Sequence, residues 1–422
     1  MKAVALGLFV LTYALLLLLP KFRAYIALIS GGVFVLLGIL PLGRVFGAVD
    51  WNVILMIAGT MGLVSLFIDS KMPALLADMI IQKTPSIKWA IISLALFAGI
   101  ISAFVDNVAT VLMVAPVALN IAKKLNIKPV PSIIAIAISS NLQGAATLVG
   151  DTTSILLGGY AHLDFLDFFF TQGKPGIFWI VEAGALTSTF ILLYIFRKEN
   201  SPVDCKDRTK VTDYFPTVLL CGTVVLLIAA SFLPDKPDIT NGAICMTLLA
   251  VGLVRELVKT RSVKVFSKTV GEIDFFTLGL LAGLFVVIAG ITQAGLVEDI
   301  SKLFVKLSGD NLFIIYSLLV WASVFFSAFI DNIPYVATML PVTAGIASIL
   351  GVDPCLLYFG LLSGATLGGN LTPIGASANI TALGILRKAG YEVSAKEFMK
   401  MSVPFTLTAV TTGYLLLWLI WA

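Results

Sequence analysis

The chain contains one peptide twice, as SAFVDNVATVLMVAPV at residues 102–117 and as SAFIDNIPYVATMLPV at residues 327–342. Half of the positions are identical at a constant offset of 225 residues, and each copy sets an Asp beside an Asn in apolar sequence. A charged side chain at membrane depth is costly and is therefore a candidate functional residue, here Asp106 and Asp331. Their duplication indicates a binding site that is built from two related halves.

The composition is typical of a membrane protein. Of the 422 residues, 59% are apolar and 12% are charged, whereas about a quarter of the residues in a soluble protein are charged. Apolar runs of about twenty residues, the length that crosses a bilayer, recur from end to end. Four scattered cysteines and one histidine, His162, form neither a disulfide framework nor a metal-binding pattern. We therefore predict an all-α polytopic membrane protein without a cofactor.

Two pairs of apolar segments lack a polar loop in which the chain can turn in water. Segments 89–105 and 108–122 are separated only by the region of Asp106, and the pair within 311–350 is separated in the same way around Asp331. A turn at membrane depth is tolerated when it is buried in protein. We predict two re-entrant hairpins, 89–122 and 311–350, that return to the side from which they enter.

With these hairpins, ten helices cross the membrane, five in each half. The first repeat is 1–196, a hydrophilic cytoplasmic linker is 197–213, and the second repeat is 214–422. Most of the 28 Lys and Arg residues, including Lys21 and Arg23 in the first loop, then lie on one side, which the positive-inside rule assigns to the cytoplasm. Both termini are predicted outside, in the inner (plasma) membrane of a prokaryote. An odd number of crossings inverts the second repeat, as in many secondary transporters.

Each hairpin is followed by a helix that is interrupted in its middle, at 131–158 and at 356–386. Gly, Thr, Ser and Asn are dense in both centres, and Pro373 removes a backbone donor in the second. A helix that breaks inside the bilayer frees backbone groups, which a ligand, an ion or packed protein must satisfy. The freed carbonyls suit a hard cation such as sodium, and the freed N–H groups suit an anion. Close helix packing is an alternative reason for the glycines.

Asp106 and Asp331 are candidates for ion or proton coupling. Each carboxylate can coordinate a cation, or take up a proton if desolvation raises its pKa toward neutrality. Alternatively, each one caps the N-terminus of the second hairpin helix, and the two roles can coexist. Asp151 lies at the first break, where the second half has Ala376, so we expect one half to bind an ion that the other does not. The clustered polar residues of the breaks add Asn141, Asn370 and Asn379.

Two further pairs of features have structural interpretations. Asp50 and Asp274 stand at the starts of apolar spans, and we predict that they are interfacial N-caps. Segments 71–83 and 295–307 are amphipathic and mixed in charge, and we predict interfacial helices there.

These motifs resemble the ion transporter superfamily, whose branches include arsenite permeases, D-type sodium/proton antiporters, citrate and dicarboxylate/sodium symporters, and the melanosomal P protein. The likeness is greatest to the P-protein and arsenite-permease branch and extends over nearly the whole chain. It is carried by SAFVDNVATVLMVAPV, SSNLQGAATLVGD, SAFIDNIPYVATMLPV and GATLGGNLTPIGASANI. The resemblance implies inverted repeats with re-entrant hairpins and discontinuous helices, a scaffold that forms a homodimer, and a mobile domain that moves like an elevator.

The resemblance also implies ion- and substrate-binding roles at Asp106, Asn107, Thr110, Gly150, Asp151, Thr152, Asp331, Asn332, Gly375, Ser377 and Asn379. We place candidate sodium sites at Asp106, Asn107 and Asp151, and at Asn332, Ser377 and Asn379. The chain departs from the family where Asp-Asn replaces the Ser-Asn-Thr hairpin signature of the dicarboxylate symporters. The first break reads Gly-Asp-Thr-Thr-Ser, where the P-protein-like branch often has Gly-Asp-Pro-Pro-Asn.

The predicted function is secondary active transport of a small inorganic or organic ion, coupled to a sodium or proton gradient. No Lys or Arg within the spans is available to pair with a multiply charged anion, which favours a small or weakly charged solute, or a cation. Arsenite efflux and sodium/proton antiport both remain open. An ion channel is the second class. A membrane-embedded aspartyl protease is disfavoured because Asp106 and Asp331 lie on hairpins that enter from opposite sides, so we predict no enzyme. The predicted partners are the solute and the lipid bilayer, with no nucleic acid.

Overall fold

The computed structural model describes residues 1–124, 127–203 and 208–422, and nearly all of them are helical. The helices of the first half are α1 (Lys2–Leu18), α2 (Arg23–Leu36), α3 (Leu42–Ala48), α4 (Trp51–Asp69), α5 (Met72–Gln82), α6 (Ile87–Ser102), α7 (Asn107–Lys124), α8 (Val130–Gly144), α9 (Thr152–Ala161) and α10 (Ile177–Ile195). Those of the second half are α11 (Phe215–Ala230), α12 (Thr240–Thr260), α13 (Val263–Gly271), α14 (Phe275–Gln293), α15 (Leu296–Ser308), α16 (Leu312–Ser327), α17 (Asn332–Leu350), α18 (Cys355–Gly368), α19 (Ser377–Lys388) and α20 (Ala395–Trp421).

Short elements complete the described chain. Single 3-10 turns lie at Pro20–Phe22, Leu166–Phe168 and Gly369–Leu371. Strands β1 (Phe170–Thr171) and β2 (Lys174–Pro175) form a small antiparallel hairpin between α9 and α10.

The apolar helices make this chain an integral membrane protein. Among the described residues, six helices are long and apolar enough to cross a membrane, or up to eight if each of two sharply bent pairs is one span. One bent pair is α1 with the segment Pro20–Leu36, at 112°, and the other is α15 with α16, at 116°. Length and composition do not test the ten predicted crossings or the inverted orientation of the halves, which stay predictions.

The predicted turns and breaks coincide with helix ends. Helices α6 and α7 meet within 89–122, and α16 and α17 meet within 311–350. Ala103 and Ala328 in the two turns are almost inaccessible to solvent, whereas Phe329 in the second turn is 56% exposed. Helices α8 and α9 divide the segment 131–158. Whether the two hairpins re-enter the membrane stays a prediction.

The helices pack in two groups. The peripheral bundle consists of α1, α2, α4 and α11–α14, in which α2 lies along α14 and α4 lies along α12. The hairpin bundle consists of α6–α10 and α16–α20, in which each hairpin packs on its broken helix and α10 packs on α20. The amphipathic helices α5 and α15 contact both groups. The long α4 and α14 also touch the hairpin bundle, at α9 and α17 respectively.

Two glycines allow the long helices of the peripheral bundle to approach closely. A Cβ atom on Gly59 would lie 2.6 Å from Cβ of Cys245, and one on Gly283 would lie 2.5 Å from the carbonyl carbon of Ala27. Small residues at such crossings let helix backbones approach in a membrane, where packing drives association. The predicted caps stand at the starts of the same helices: Asp50 accepts the N–H of Val53 at 3.0 Å. The equivalent bond of Asp274 has the same length.

Candidate functional site

The first hairpin turn lies directly on the break of the first discontinuous helix. The hydroxyl of Thr147 donates to the carbonyl of Ala103. A Cβ atom on Gly150 would lie 2.7 Å from the carbonyl oxygens of Ser102 and Ala103, and 2.5 Å from that of Gly144. No side chain fits at these distances, so residue 150 must be glycine for the turn and the break to meet.

The second half repeats these contacts at an offset of 225 residues. The hydroxyl of Thr372 donates to the carbonyl of Ala328. A Cβ atom on Gly375 would lie 2.8 Å from the carbonyl oxygen of Ser327 and 2.6 Å from that of Gly369. Gly150 and Gly375 therefore allow each hairpin turn to contact its broken helix, because neither residue has a side chain.

Buried amides join the two halves behind the turns. Asn107 donates from Nδ2 to Oδ1 of Asn141 at 2.9 Å. Asn141 in turn donates to the carbonyl of Thr366 at 2.8 Å, and Asn370 donates to the carbonyl of Ile138 at 2.8 Å. Buried polar groups that are paired in this way fix one arrangement of their helices. Asn141 and Asn370 therefore hold the broken helices together, and Oδ1 of Asn370 has no partner among the described residues.

Asp151 is the carboxylate at the centre of the site. Its Oδ2 accepts the hydroxyl of Thr153 at 2.8 Å and lies 3.5 Å from Nδ2 of Asn332. Thr153 also lies 2.9 Å from the hydroxyl of Thr366. Asp151 is 5% exposed and forms no ion pair in the described part of the chain. The second hairpin and both broken helices therefore converge on one buried carboxylate.

A cavity of about 300 Å³ opens beside this carboxylate. Six of the predicted residues line it: Asp106, Asn107, Asp151, Thr152, Asn332 and Ser377. Its other wall comes from the peripheral bundle, at α4 and at the residues Asp69, Lys268, Glu272 and Asp274. Lys268 is 2.6 Å from Asp69 and is neutralised by it. Acidic side chains therefore outnumber free basic ones around the cavity, and this favours a cation.

The remaining predicted residues lie outside the lining of this cavity. Thr110 is buried and its hydroxyl has no partner among the described residues. Asn379 donates to the carbonyls of Gly369 and Thr372, both at 3.1 Å, which stabilises the second break. Its Oδ1 is likewise without a partner in the described structure. Asp331 also lies outside the cavity lining.

The two duplicated carboxylates have different surroundings. Oδ1 of Asp106 accepts the N–H groups of Val108 and Ala109 at 3.0 and 3.1 Å, which is the capping role. Oδ1 of Asp331 accepts the N–H of Ile333 at 3.1 Å in the same way. Only Asp331 has a cationic partner in the described chain, because Nη1 of Arg23 lies 2.8 Å from its Oδ2.

The sequence analysis assigned Arg23 to the first loop and predicted no partner for it, so this ion pair is a contact that it did not foresee. Arg23 is the first residue of α2, and its side chain is 19% exposed. The pairing joins residues that are 308 positions apart. No local pattern signals a contact at that separation, so the sequence reasoning missed it.

The sequence analysis also did not identify Glu182 as a candidate functional residue. It is the single charged residue within α10, in the run IFWIVEAGALTSTF, and it is partly buried. The signal was present, because a lone carboxylate in an apolar span is a candidate functional residue.

The comparisons with known proteins agree with a transport fold. Residues 13–362 match the CitMHS family, which is described as citrate transporter. The chain is 30% identical to the uncharacterized transporter Rv2684 of Mycobacterium tuberculosis, over 99% of this chain and 98% of that protein. It is 27% identical to the human P protein, over 86% of this chain and 53% of that protein.

Two solved structures share the fold at low identity. The YdaH transporter of Alcanivorax borkumensis superimposes with a TM-score of 0.61 at 16% identity, over 89% of this chain and 86% of that one. MtrF of Neisseria gonorrhoeae, from a class described as antimetabolite efflux pumps, gives a TM-score of 0.57 at 14% identity, over 89% and 82% of the two chains.

Proposed function

Because this chain belongs to the CitMHS citrate transporter family, we propose that it is a secondary active transporter that uses a sodium or proton gradient to move a small ion or solute. The observation that carries the proposal is the cavity beside Asp151, to which both hairpins and both broken helices contribute. Transporters bind substrate and coupling ion at such interrupted helices.

The chemistry of the cavity supports a cation as the coupling ion. Asp106 and Asp151 both line it and neither is paired with a Lys or Arg in the described chain. Asn107 adds an amide oxygen and Thr152 adds a hydroxyl oxygen. Together with carboxylate oxygens, these are the ligands that hard cations prefer. We therefore assign the coupling site to the first predicted set, Asp106, Asn107 and Asp151.

The chemistry of the cavity also bears on the solute. The one lysine in its wall, Lys268, is neutralised by Asp69. A multiply charged anion would meet acidic side chains without a free counter-charge. We therefore favour a cation or a weakly charged solute. Citrate is included in the test because the family is named for it.

The packing of the helices supports an elevator-type movement. The predicted binding residues all belong to the hairpin bundle, whereas the peripheral bundle supplies one wall of the cavity. A rigid displacement of the hairpin bundle would carry the site away from that wall and toward the opposite side. A homodimer formed through the peripheral bundle, with both termini outside the cell, is part of this proposal.

The test is flux in proteoliposomes under imposed sodium and proton gradients. Sodium, lithium, arsenite and citrate are the probes, and protein-free liposomes are the control. The proposal expects uptake or exchange of one probe that collapses when the gradient is dissipated. Current at the level of an open pore would favour the channel, and no gradient-dependent flux of any probe would contradict the proposal.

A further inference from the structure

We propose that Arg23 is a tethered cation that occupies the carboxylate of Asp331, so that in this state only the first half of the site takes up a free cation. The inference rests on the proposed function, because it names which of the two duplicated acids serves the coupling ion. It makes the repeats unequal: one carboxylate is open to ions from solution, and the other is neutralised by the protein itself.

Both oxygens of Asp331 are already engaged. Oδ1 accepts the N–H of Ile333 at 3.1 Å, and Oδ2 lies 2.8 Å from Nη1 of Arg23. The side chains of the pair are 17% and 19% exposed, so water screens the charges weakly. A sodium ion at Oδ2 would have to displace the guanidinium. Asp106, in contrast, lines the cavity and forms no ion pair within the described residues.

Arg23 does not stabilise its own helix, and its pairing with Asp331 explains why an arginine stands at this position. As the first residue of α2, it places a positive charge at the positive end of the helix dipole, which is unfavourable. The guanidinium is directed by a second bond, from Nε to the carbonyl of Leu16 at 3.2 Å. The bend of 112° after α1 makes this bond possible. The ion pair with Asp331 offsets the unfavourable interaction between the Arg23 charge and the dipole of α2.

The pair also connects the two bundles. Arg23 belongs to the peripheral bundle and Asp331 to the hairpin bundle, and next to them the hydroxyl of Tyr13 donates to the carbonyl of Pro334 at 2.8 Å. When the hairpin bundle moves, Asp331 must leave Arg23. A partly buried carboxylate that loses its partner is costly. The tethered cation therefore holds the carrier in the present state until a mobile cation or a proton replaces it.

The test is a count of bound cations on the purified full-length protein, which requires no transport. Binding of radioactive sodium is measured at alkaline pH, and bound protons are counted by potentiometric titration. We expect Asp106→Asn to lose one cation and Asp331→Asn to keep the wild-type count. Arg23→Gln should gain one sodium ion or proton, and Arg23→Gln/Asp331→Asn should lose that gain. Arg23→Lys, which keeps the charge, is the control.

Two outcomes would overturn the inference. One is that Asp331→Asn binds fewer cations than the wild type. The other is that a monodisperse Arg23→Gln protein binds the same numbers of sodium ions and protons as the wild type. If Arg23→Gln does not fold, the comparison of Asp331→Asn with Asp106→Asn still decides. If the wild-type protein shows no gradient-driven flux, the proposed function is contradicted, but the numbers of bound cations are unaffected. Failure of the proposed function and failure of this inference are therefore distinguishable.

Discussion

Thr187 and Thr412 are 225 positions apart in the chain, and their hydroxyl oxygens lie 2.9 Å from each other. The offset is the one that relates the duplicated peptides. Asn141 contacts its own counterpart in the same way, by donating to the carbonyl of Thr366. A contact between equivalent residues of two repeats is expected where the repeats are related by an approximate two-fold axis. The two contacts therefore bring equivalent positions of the duplicated halves together, between α10 and α20 and between α8 and α18. The opposite orientation of the two halves stays a prediction.

The bond between Thr187 and Thr412 should make a small contribution to stability. Hydrogen bonds between membrane helices average about 0.6 kcal/mol in double-mutant cycles. We expect Thr187→Val and Thr412→Val to show a coupling energy of about that size, measured from unfolding in detergent. Coupling of zero, with both single variants folded, would contradict a direct bond between the two hydroxyls.

Asp106→Asn should abolish coupled flux. The amide keeps the size of the side chain but removes the charge that faces the cavity. At concentrations of the coupling ion below saturation, we expect flux to fall by more than about tenfold, which corresponds to about 1.4 kcal/mol of lost ion binding. Asp50→Asn is the matched control, because Asp50 is also a helix cap and lies outside this cavity. Equal flux in the wild type and in Asp106→Asn would remove Asp106 from the coupling site.

Gly150→Ala should destabilise the protein and impair flux together. The added Cβ atom would lie 2.7 Å from two backbone carbonyl oxygens of the hairpin turn. Neither can move without opening the turn, and overpacking of this kind costs about 1–3 kcal/mol. Gly7→Ala is the control, since its Cβ atom would meet nothing within 4 Å. Thermal unfolding and flux are measured on both, and a Gly150→Ala protein as stable as Gly7→Ala would contradict the close contact.

Asp213→Asn should lower stability near neutral pH but not in acid. Hydrogen bonds from the Arg255 guanidinium, 2.5 Å away, hold the pKa of the Asp213 carboxyl well below its usual range. A lowered folded-state pKa stabilises the protein above the pKa of the unfolded chain, about 3.9, and this contribution is lost as the pH falls through the folded pKa. Because the partners are partly exposed, about 1 kcal/mol is the upper limit. A difference from the wild type that grows in acid would contradict this sign.

The sequence predicted the features that arise from local chemistry. Apolar runs located the spans, and the breaks followed from the density of Gly and Thr around Asp151 and Pro373. The capping roles of Asp50 and Asp274 were confirmed, because a cap depends on residues three positions away. The duplication at Asp106 located the turns between α6 and α7 and between α16 and α17, because an offset is visible without coordinates.

Long-range pairing was not predictable in the same way. The periodicity of α2 gives no sign that Arg23 reaches a hairpin turn 308 positions later. The sequence predicted unequal halves from Asp151, but the similar neighbours of Asp106 and Asp331 did not show which of these two carboxylates has a cationic partner. Their difference comes from the side chain of Arg23, which pairs with Asp331 in the second hairpin. The role of Asn141 likewise depends on a helix of the other half.

An elevator movement predicts that a covalent link between the bundles blocks transport. Lys236, in the loop before α12, is paired with Asp164, in the loop after α9, so this contact joins the peripheral bundle to the hairpin bundle. In a background without native cysteines, Lys236→Cys/Asp164→Cys treated with a reducible thiol cross-linker should lose flux and regain it after reduction.

The control for this experiment is Thr187→Cys/Thr412→Cys, which links α10 to α20 within the hairpin bundle. Both pairs acquire the same reagent and the same added mass, but only the first joins parts that must move apart. A bundle that moves as a rigid body therefore tolerates the second link and keeps its gradient-driven flux. Full flux in the cross-linked Lys236→Cys/Asp164→Cys protein would exclude a displacement between the bundles, and the cavity beside Asp151 would then have to open by movement of the hairpin turns alone.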